Sequence, residues 1–507
     1  MNRTYLLGVL WLGACTSVLG IEDLHEGPRP GAGGEDPTAG STSTAGNTGN
    51  GGKTGNGGST NPEGGSTNPE GGAPEPNAGA GNEPSGGTAP LGGAGNEAGA
   101  GGEGGNAPVT GTVHGKLVDY YGQNIPNVTL QIGDEQVSSD DNGEFTVEDV
   151  AATYDISLIA GATGWVFQGL TRRDPTLQIF SGLPYRSTSL DASFKPGVTV
   201  GANENITVAM ATPSGLYVRP DVGTDSSFYL YPEWEGGATA TGTAHALYWS
   251  INPATKLPAV YKAYDTKTQA FADNVDGAPM LFDIGSKTPF TSKAITGTAT
   301  PYGLGTRTNS VFARFSSGAV IQLVDHTPTE NAFSYLVPEG IADVSFTVAA
   351  WEGSTAGPMG LVHKGGLTPG DEVGTLDIPR PPTVLTPPGG SKNVDGNTNF
   401  TFSASADNTG AFLVVISAYN DPQILYIVTT QKKFQIPSVV DGAFVLFPGE
   451  DYDWWVETHG SFATVDEMTG PIGWFDEFGK EYDTPLGVEQ PSGSYTSSEF
   501  RRFTTKP

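Results

Sequence analysis

Beyond Pro108 the chain consists of short runs in which apolar and polar residues alternate, a pattern typical of β-strands. The runs are rich in Val, Thr, Phe and Tyr, and Gly, Asn or Pro interrupts them about every 8 to 12 positions. No run of about 12 or more residues has the period of a helix. The sequence therefore predicts an all-β fold of several β-sandwich domains in series.

The preceding segment, from Gly27 to Pro108, cannot form part of such a core. It is almost entirely Gly, Ala, Asn, Ser, Thr, Pro and Glu, it contains no aromatic residue, and its residues 59–65 recur at once as residues 66–72. Too little apolar surface is present to offset the entropy of ordering the backbone. We predict a disordered linker over residues 15–108, with an end-to-end distance on the order of 50 Å.

Residues 1–14 have the form of a short export signal, with Arg3 ahead of an apolar run over residues 5–12. The signal leads into Leu12-Gly13-Ala14-Cys15, which holds the only cysteine among the 507 residues. This motif resembles the lipobox of bacterial lipoproteins. The resemblance implies cleavage before Cys15, acylation of its sulfur and new N-terminus with chains such as palmitate, and a lipid bilayer as partner. The alternative is an ordinary secretory peptide in which Cys15 has no role.

Two further features bear on where the protein acts. Thr16 follows the cysteine where aspartate would favour the inner membrane, so we expect an outer-membrane lipoprotein exposed at the cell surface, and residues 16–23 resemble the same segment of myxobacterial lipoproteins. The formal net charge of −30 repels nucleic acid and anionic membrane surfaces. We therefore expect no nucleic-acid partner, and contact with the bilayer through acyl chains only.

The first folded segment, residues 109–193, contains three characteristic turns. They are a Gly-x-Val opening at residues 111–113, a Gly-x-x-Ile-Pro turn at residues 122–126 and an Asp-x-x-Gly-x-Phe hairpin at residues 140–145. Together they resemble the carboxypeptidase regulatory-like domain. The resemblance implies a seven-stranded prealbumin-like sandwich that serves as an accessory without catalytic residues.

Two more β-sandwiches are predicted over residues 194–293 and 294–380. The border between them is placed near Ala294, because the residues that follow it read like a first strand. The Pro-rich residues 378–382 cannot continue a sheet ladder, so a new domain begins there.

The last domain, residues 381–507, has strand-like runs at residues 400–402, 412–416 and 452–456. These runs resemble those of a fibronectin type III domain, and the resemblance implies an immunoglobulin-like β-sandwich. Phe402 stands where that family usually has Trp, and the segment from Gly460 to Ser497 is longer than the usual hairpin. Trp454 and Trp455 are adjacent on one strand, so we predict that only one of them faces the core.

No catalytic, metal or cofactor site is predicted. The chain has no Gly-x-Ser-x-Gly motif, and its histidines show no His-Glu-x-x-His spacing. A calcium loop is weakly suggested by Ser138, Asp140 and Asn142 with Asp149, but Asp-Asn-Gly is a strong hairpin signal, and we favour a turn. Paired acids at Asp466-Glu467, Asp476-Glu477 and Glu481 with Asp483 could suggest glycoside hydrolysis, which needs two carboxylates in a cleft.

Aromatic residues alternate with acids in the long excursion of the last domain. The candidate ligand-binding residues there are Trp474, Phe475, Phe478 and Tyr482. They could stack on sugar rings or on partner side chains, or they could pack down onto the sheet. The same two interpretations hold for Tyr229, Tyr231 and Trp234.

The sequence thus favours a non-enzymatic, membrane-anchored surface lipoprotein. Its sandwiches would present loops for binding or adhesion or act as envelope scaffold, with a cell-envelope protein or polysaccharide as partner. The first alternative is a carbohydrate-binding surface protein. The second is a hydrolase whose site is not visible in the sequence.

Overall fold

The computed structural model describes most of the chain beyond residue 109. The described residues are 110–119, 122–179, 185–195, 198–219, 222, 227–275, 277–285, 289–354, 357–405, 410–437, 439–440, 445–460, 462–470 and 493–507. The predicted signal peptide, Cys15 and the predicted linker lie outside them, and so do Trp474, Phe475, Phe478 and Tyr482.

Of the described residues, 60% lie in strands and 1% in helix, which confirms the all-β prediction. They form four β-sandwich modules, which follow one another along the chain within one compact unit. The one helix among them, α1 (Val465–Met468), is a single short turn. In this part of the chain, no helix is long and apolar enough to cross a membrane.

Module 1 spans residues 110–179 and has seven strands. Its two sheets have the orders β4-β1-β7 and β3-β2-β5-β6. Alternation fixes the faces, because Phe145 and Val147 point into the core while Glu144 and Thr146 point to solvent. The strands are β1 (Thr110–Asp119), β2 (Thr129–Ile132), β3 (Glu135–Ser138), β4 (Glu144–Ala151), β5 (Tyr154–Ala160), β6 (Thr163–Leu170) and β7 (Thr176–Ile179).

Module 2 spans residues 185–282. Its main sheet has the order β11-β10-β14-β15, and it faces the sheet β12-β9-β16 and the short pair β13-β8. The strands are β8 (Tyr185–Ser187), β9 (Leu190–Phe194), β10 (Glu204–Thr212), β11 (Gly215–Arg219), β12 (Ser227–Leu230), β13 (Glu233–Glu235), β14 (Thr239–Ile251), β15 (Pro258–Ala272) and β16 (Met280–Phe282).

The predicted border at residue 193 needs correction. It falls inside β9, which pairs with β12 and β16 of module 2 rather than with any strand of module 1. The strands β8 and β9 therefore belong to the second sandwich. Their partners lie tens of residues later in the sequence, where local patterning gives no information about pairing.

Module 3 spans residues 292–377, with sheets β20-β17-β23 and β19-β18-β21-β22. Its first strand starts at Ser292, close to the predicted border at Ala294. The strands are β17 (Ser292–Thr300), β18 (Arg307–Phe315), β19 (Val320–His326), β20 (Ala332–Pro338), β21 (Val344–Gly353), β22 (Met359–Leu367) and β23 (Glu372–Asp377).

Module 4 spans residues 383–505. One sheet is β24-β26-β29, and the other is β28-β27-β30-β31, extended by β32 on β30 and by β25 on β32. The strands are β24 (Thr383–Thr386), β25 (Ser391–Val394), β26 (Phe400–Ser403), β27 (Phe412–Ala418), β28 (Ile424–Thr429), β29 (Lys433–Phe434), β30 (Asp451–His459), β31 (Gly493–Ser497) and β32 (Arg501–Thr505).

Edge strands of three modules are hydrogen-bonded to one another. β22 of module 3 pairs antiparallel with β31 of module 4, and β28 of module 4 pairs parallel with β6 of module 1. The result is one continuous sheet of 14 strands that runs through modules 3, 4 and 1. Because module 1 is farthest from module 4 in sequence, the chain must fold back on itself to close this contact.

The hydrophobic cores also cross the module borders. Leu413, Val415 and Val428 of module 4 belong to the core cluster of module 1. Leu247 and Trp249 of module 2 belong to the core cluster of module 3. Each junction is thus a dry, packed interface of the kind found inside a domain, rather than a polar contact between independent domains.

Candidate functional site

The adjacent tryptophans of β30 lie on opposite faces of the sheet, as predicted. Trp454 is fully buried in the core of module 4 and meets Phe400 edge-on at 5.2 Å. Trp455 is partly buried, packs against the core of module 1 and meets Phe500 edge-on at 4.8 Å. Both rings therefore act in packing, one within module 4 and one at its junction with module 1.

The three aromatics of module 2 separate into a core residue and a surface pair. Trp234 is buried, and its indole Nε1 donates a hydrogen bond to the carbonyl oxygen of Gly237 at 2.8 Å. Tyr229 and Tyr231 are 51% and 42% exposed, and their ring centroids lie 6.2 Å apart with planes inclined by 30°. Tyr229 lies on the outer face of the sheet β12-β9-β16, because Phe228 and Leu230 fill the core side of β12, and Tyr231 follows directly after that strand.

A row of polar side chains lies beside the tyrosines. Asp191 on β9 stands directly opposite Tyr229, and Ser193, two residues further along, stands opposite Ser227. On the far side of β9, Leu281 is paired with Ser193 and is 45% exposed. We call this set, Asp191, Ser193, Tyr229, Tyr231 and Leu281, the tyrosine platform. It combines two aromatic faces with a carboxylate and a hydroxyl on one exposed surface.

Among the described residues, the side chains around the buried His245 of module 2 are the ones that most resemble a catalytic cluster. The Nε2 atom of His245 lies 2.7 Å from the Ser317 hydroxyl, and Nδ1 lies 2.8 Å from the Tyr264 hydroxyl. Burial lowers the pKa of His245 to about 4. An imidazole of that pKa is a weak general base at neutral pH, and its ring is stacked on Phe315. The cluster serves the packing of module 2 on module 3.

A second polar cluster is buried in module 4. Glu457 accepts hydrogen bonds from the indole Nε1 of Trp455 at 2.6 Å and from Nε2 of His459 at 3.1 Å. These contacts link neighbouring side chains of one strand. Across the described residues, no group of three or more His, Cys, Asp and Glu side chains is arranged to hold a metal ion.

The segment considered for calcium forms a hairpin turn. The Oδ1 atom of Asp140 accepts hydrogen bonds from the backbone amides of Asn142 and Glu144, both at 2.8 Å. Gly143 has a φ of 72°, in the left-handed region that favours glycine. The turn interpretation accounts for these residues without a cation.

Two acids of the excursion, Asp466 and Glu467, are described by the structure. Both accept hydrogen bonds from backbone amides, and they do not face each other across a cleft. Asp466 accepts hydrogen bonds from the backbone amides of Thr171 and Arg172, at 2.8 and 3.0 Å, and so ties α1 to module 1. Glu467 accepts one from the amide of Ala463 at 2.6 Å. The other predicted acids, Asp476, Glu477, Glu481 and Asp483, lie outside the described residues.

An open cleft of about 370 Å³ lies on the outer face of module 1. His114, Lys116, Glu144, Arg172 and Asp174 are among its lining residues. The guanidinium of Arg172 already pairs with Asp174 at 2.9 Å and donates to the Asp466 carbonyl at 2.8 Å. The cleft thus carries charges of both signs, and the guanidinium of Arg172 is already engaged.

No family model matches the chain, and no curated protein matches it. Among solved structures it is similar to the Bacillus anthracis TIE protein, at 12% identity over 53% of this chain and 50% of that one, with a TM-score of 0.15. It is also similar to the major pilin subunit of Bacillus cereus, at 9% identity over 53% of this chain and 99% of that one, with a TM-score of 0.13.

A third similar structure is the pilus adhesin SpaC from Lactobacillus rhamnosus GG. The identity is 9% over 63% of this chain and 43% of that one, with a TM-score of 0.13. The chain thus spans about half the length of the TIE protein and less than half that of SpaC. Superpositions with TM-scores this low carry no argument about function.

Proposed function

We propose that this chain is a non-enzymatic surface lipoprotein that presents a multi-module β-sandwich body for binding, adhesion or envelope scaffolding. Acyl chains on Cys15 would anchor it in the outer membrane, and a cell-envelope protein or polysaccharide would be its partner. The observation that carries the proposal is the continuous sheet through modules 3, 4 and 1. Pairing of edge strands restricts the relative motion of modules, which suits a body that must hold a binding surface in place.

The arrangement of the chain supports the same proposal. A Gly-rich linker of residues 15–108 would place the body on the order of 50 Å from the lipid headgroups. Several acyl chains on Cys15, each methylene contributing about 0.8 kcal/mol, would hold the protein on a bilayer essentially permanently. The net charge of −30 would keep the body itself away from anionic lipid.

Anchoring is tested by exchanging the thiol for a hydroxyl. In the cells that make the protein, we expect the wild-type chain to incorporate a labelled palmitate analogue, to sediment with outer membranes and to be degraded by protease added to whole cells. The Cys15→Ser variant should incorporate no label and leave the membrane fraction. Unchanged membrane association of that variant would contradict the anchor, and protection from protease would contradict surface exposure.

Carbohydrate binding is the second candidate function, and the tyrosine platform favours it. Exposed, adjacent aromatic rings beside hydrogen-bonding side chains are suited to sugars, which have both C–H faces and hydroxyl edges. Retention of the intact, detergent-solubilised chain on immobilised polysaccharides tests this function as a whole. No retention on any polysaccharide would leave protein binding or scaffolding as the function.

A further inference from the structure

We propose that the tyrosine platform of module 2 binds an uncharged polysaccharide, with Tyr229 and Tyr231 stacked on the C–H faces of successive pyranose rings and Asp191 accepting hydrogen bonds from their hydroxyl groups. This inference rests on the proposed surface-binding function and specifies its ligand and its site.

The exposure of the two tyrosines is the first argument. Single exposed aromatics are common on protein surfaces, but two neighbouring exposed rings with planes inclined by only 30° form an apolar patch in water. Leu281, also exposed, extends the patch across the sheet. The core of module 2 does not need these side chains, because Phe228, Leu230 and Trp234 already fill it.

The register of the sheet supplies the second argument. Asp191 is directly opposite Tyr229 in the register, so the two side chains are neighbours on one face of the sheet. Ser193 provides a hydroxyl on the same face. Aromatic rings with hydrogen-bonding groups beside them suit a pyranose, which presents both a C–H face and hydroxyl groups.

Shape favours a chain over a small sugar. The platform lies on the outer face of a three-stranded sheet, and β12 is an edge of that sheet among the described strands. A polysaccharide can lie along such an open surface and continue past it in both directions.

The negative charge of the protein favours uncharged over anionic polysaccharides. Asp191 is exposed within the platform, and the nearby ammonium of Lys195 is paired with Asp283 at 2.6 Å. With a net charge of −30 on the whole chain, a uronic acid or sulfated polymer would be repelled. An uncharged glycan, whose faces carry axial hydrogens and whose hydroxyls are mostly equatorial, fits best.

The test uses native gels that contain a soluble polysaccharide, which retards a protein that binds it. The probes are hydroxyethylcellulose, laminarin and mannan as uncharged polymers and alginate as an anionic one. We expect the intact, detergent-solubilised chain to be retarded by at least one uncharged polymer and not by alginate. Tyr229→Ala or Tyr231→Ala should each weaken binding about tenfold, and the double variant about a hundredfold.

Three further variants separate the roles of the side chains. Tyr229→Phe keeps the stacking ring and should retain most of the retardation, whereas Asp191→Ala should lose much of it. Tyr419→Ala removes a tyrosine that is similarly exposed but lies on module 4, and it should bind like the wild type. Thermal unfolding of each variant establishes that the fold is intact.

The outcomes distinguish the site from the function. Retardation by an uncharged polymer that is unchanged in the Tyr229 and Tyr231 variants would overturn the platform as the site and leave carbohydrate binding standing. Preference for alginate would overturn the ligand class. Absence of retardation in every gel, together with loss of binding to a purified envelope protein in the double variant, would overturn the glycan and assign the platform to a protein partner.

Discussion

The imidazole of His245 in module 2 stacks on the ring of Phe315 in module 3, with centroids 4.0 Å apart and planes inclined by 19°. Tyr264 stacks on the same phenylalanine from module 2, at 5.6 Å. One ring of module 3 is thus held by two rings of module 2, and the histidine is buried in the junction. A charge on that imidazole would have to be placed in an apolar interface.

Acid should therefore weaken the junction between modules 2 and 3. Burial lowers the pKa of His245 to about 4, below the usual value near 6.5, so the unfolded chain binds its proton first as pH falls. The contribution of His245 to the free energy of unfolding is fully present above about pH 6.5. It decreases by up to roughly 3 kcal/mol between about pH 6.5 and pH 4, and it is constant at lower pH. Tyr264 is a hydrogen-bond partner of His245 in this junction, and the charges of Asp265 and Asp343 act on it.

Urea unfolding across pH 4 to 8 measures this dependence for the wild type and for His245→Gln. We expect the difference between the two proteins to follow the predicted curve. His326→Gln, in module 3, is the control and should keep the wild-type pH dependence. Identical pH profiles for wild type and His245→Gln would refute the assignment.

The sequence predicted strands better than it predicted their partners. The strand-like runs at residues 400–402, 412–416 and 452–456 correspond to β26, β27 and β30. Edge pairing between modules uses main-chain hydrogen bonds, which do not specify the partner strand. The sequence does carry a sign of burial on both faces, because β6 and β28 contain the unbroken apolar runs Trp165-Val166-Phe167 and Leu425-Tyr426-Ile427-Val428.

The candidate site was predictable only in part. The sequence indicates Tyr229, Tyr231 and Trp234 as candidates, but the strand period alone does not say which face of β12 is the core. Asp191 and Ser193 could not be predicted, because they lie far from Tyr229 in sequence and come near it only through the pairing of β9 with β12. Their acidic and hydroxyl side chains are too common to stand out without that contact.

Truncating Val166 should loosen module 1 from module 4. Val166 lies on β6 opposite Ile427 of β28, is 2% exposed, and belongs to the core cluster of module 4. Val166→Ala should lower the free energy of unfolding by about 2 kcal/mol and speed amide hydrogen exchange in both strands. Val218→Ala, on an exposed position of β11, is the matched control and should change stability by less than about 0.5 kcal/mol. Equal effects of the two substitutions would mean that the junction is not packed.

The carboxylate of Asp466 should stabilise the contact between α1 and module 1. Burial raises its pKa, but hydrogen bonds from Thr171 and Arg172 outweigh burial and hold the pKa below the usual value. The stabilisation is present above the unfolded pKa of about 3.9 and is lost as pH falls through the lower folded pKa. Asp466→Ala should cost about 1 to 3 kcal/mol near neutral pH, because two backbone amides lose a charged acceptor. Glu372→Ala, an exposed acid on β23, should cost little, and thermal unfolding compares the two.

The connector between modules 3 and 4, residues 378–382, should leave no room for a side chain at Gly360 of β22. A Cβ added at Gly360 of β22 would lie 2.3 Å from the carbonyl oxygen of Pro379 and 3.1 Å from Cγ2 of Ile378. The Pro-rich residues 378–382 have little freedom to move aside, so Gly360→Ala should displace the connector and disturb the pairing of β22 with β31. We expect a loss of about 3 kcal/mol, as for overpacking in a core, and faster amide exchange in both strands.

Gly396→Ala is the control for that substitution, because a Cβ there meets no atom within 4 Å and its backbone is outside the left-handed region. It should be neutral or stabilise the protein by up to about 1 kcal/mol, since alanine restricts the unfolded chain. The contrast isolates the steric effect, because both variants add the same methyl group. If Gly360→Ala unfolded at the same temperature as Gly396→Ala, the connector would have to be free of β22, and the border between modules 3 and 4 would be a hinge instead of a fixed contact.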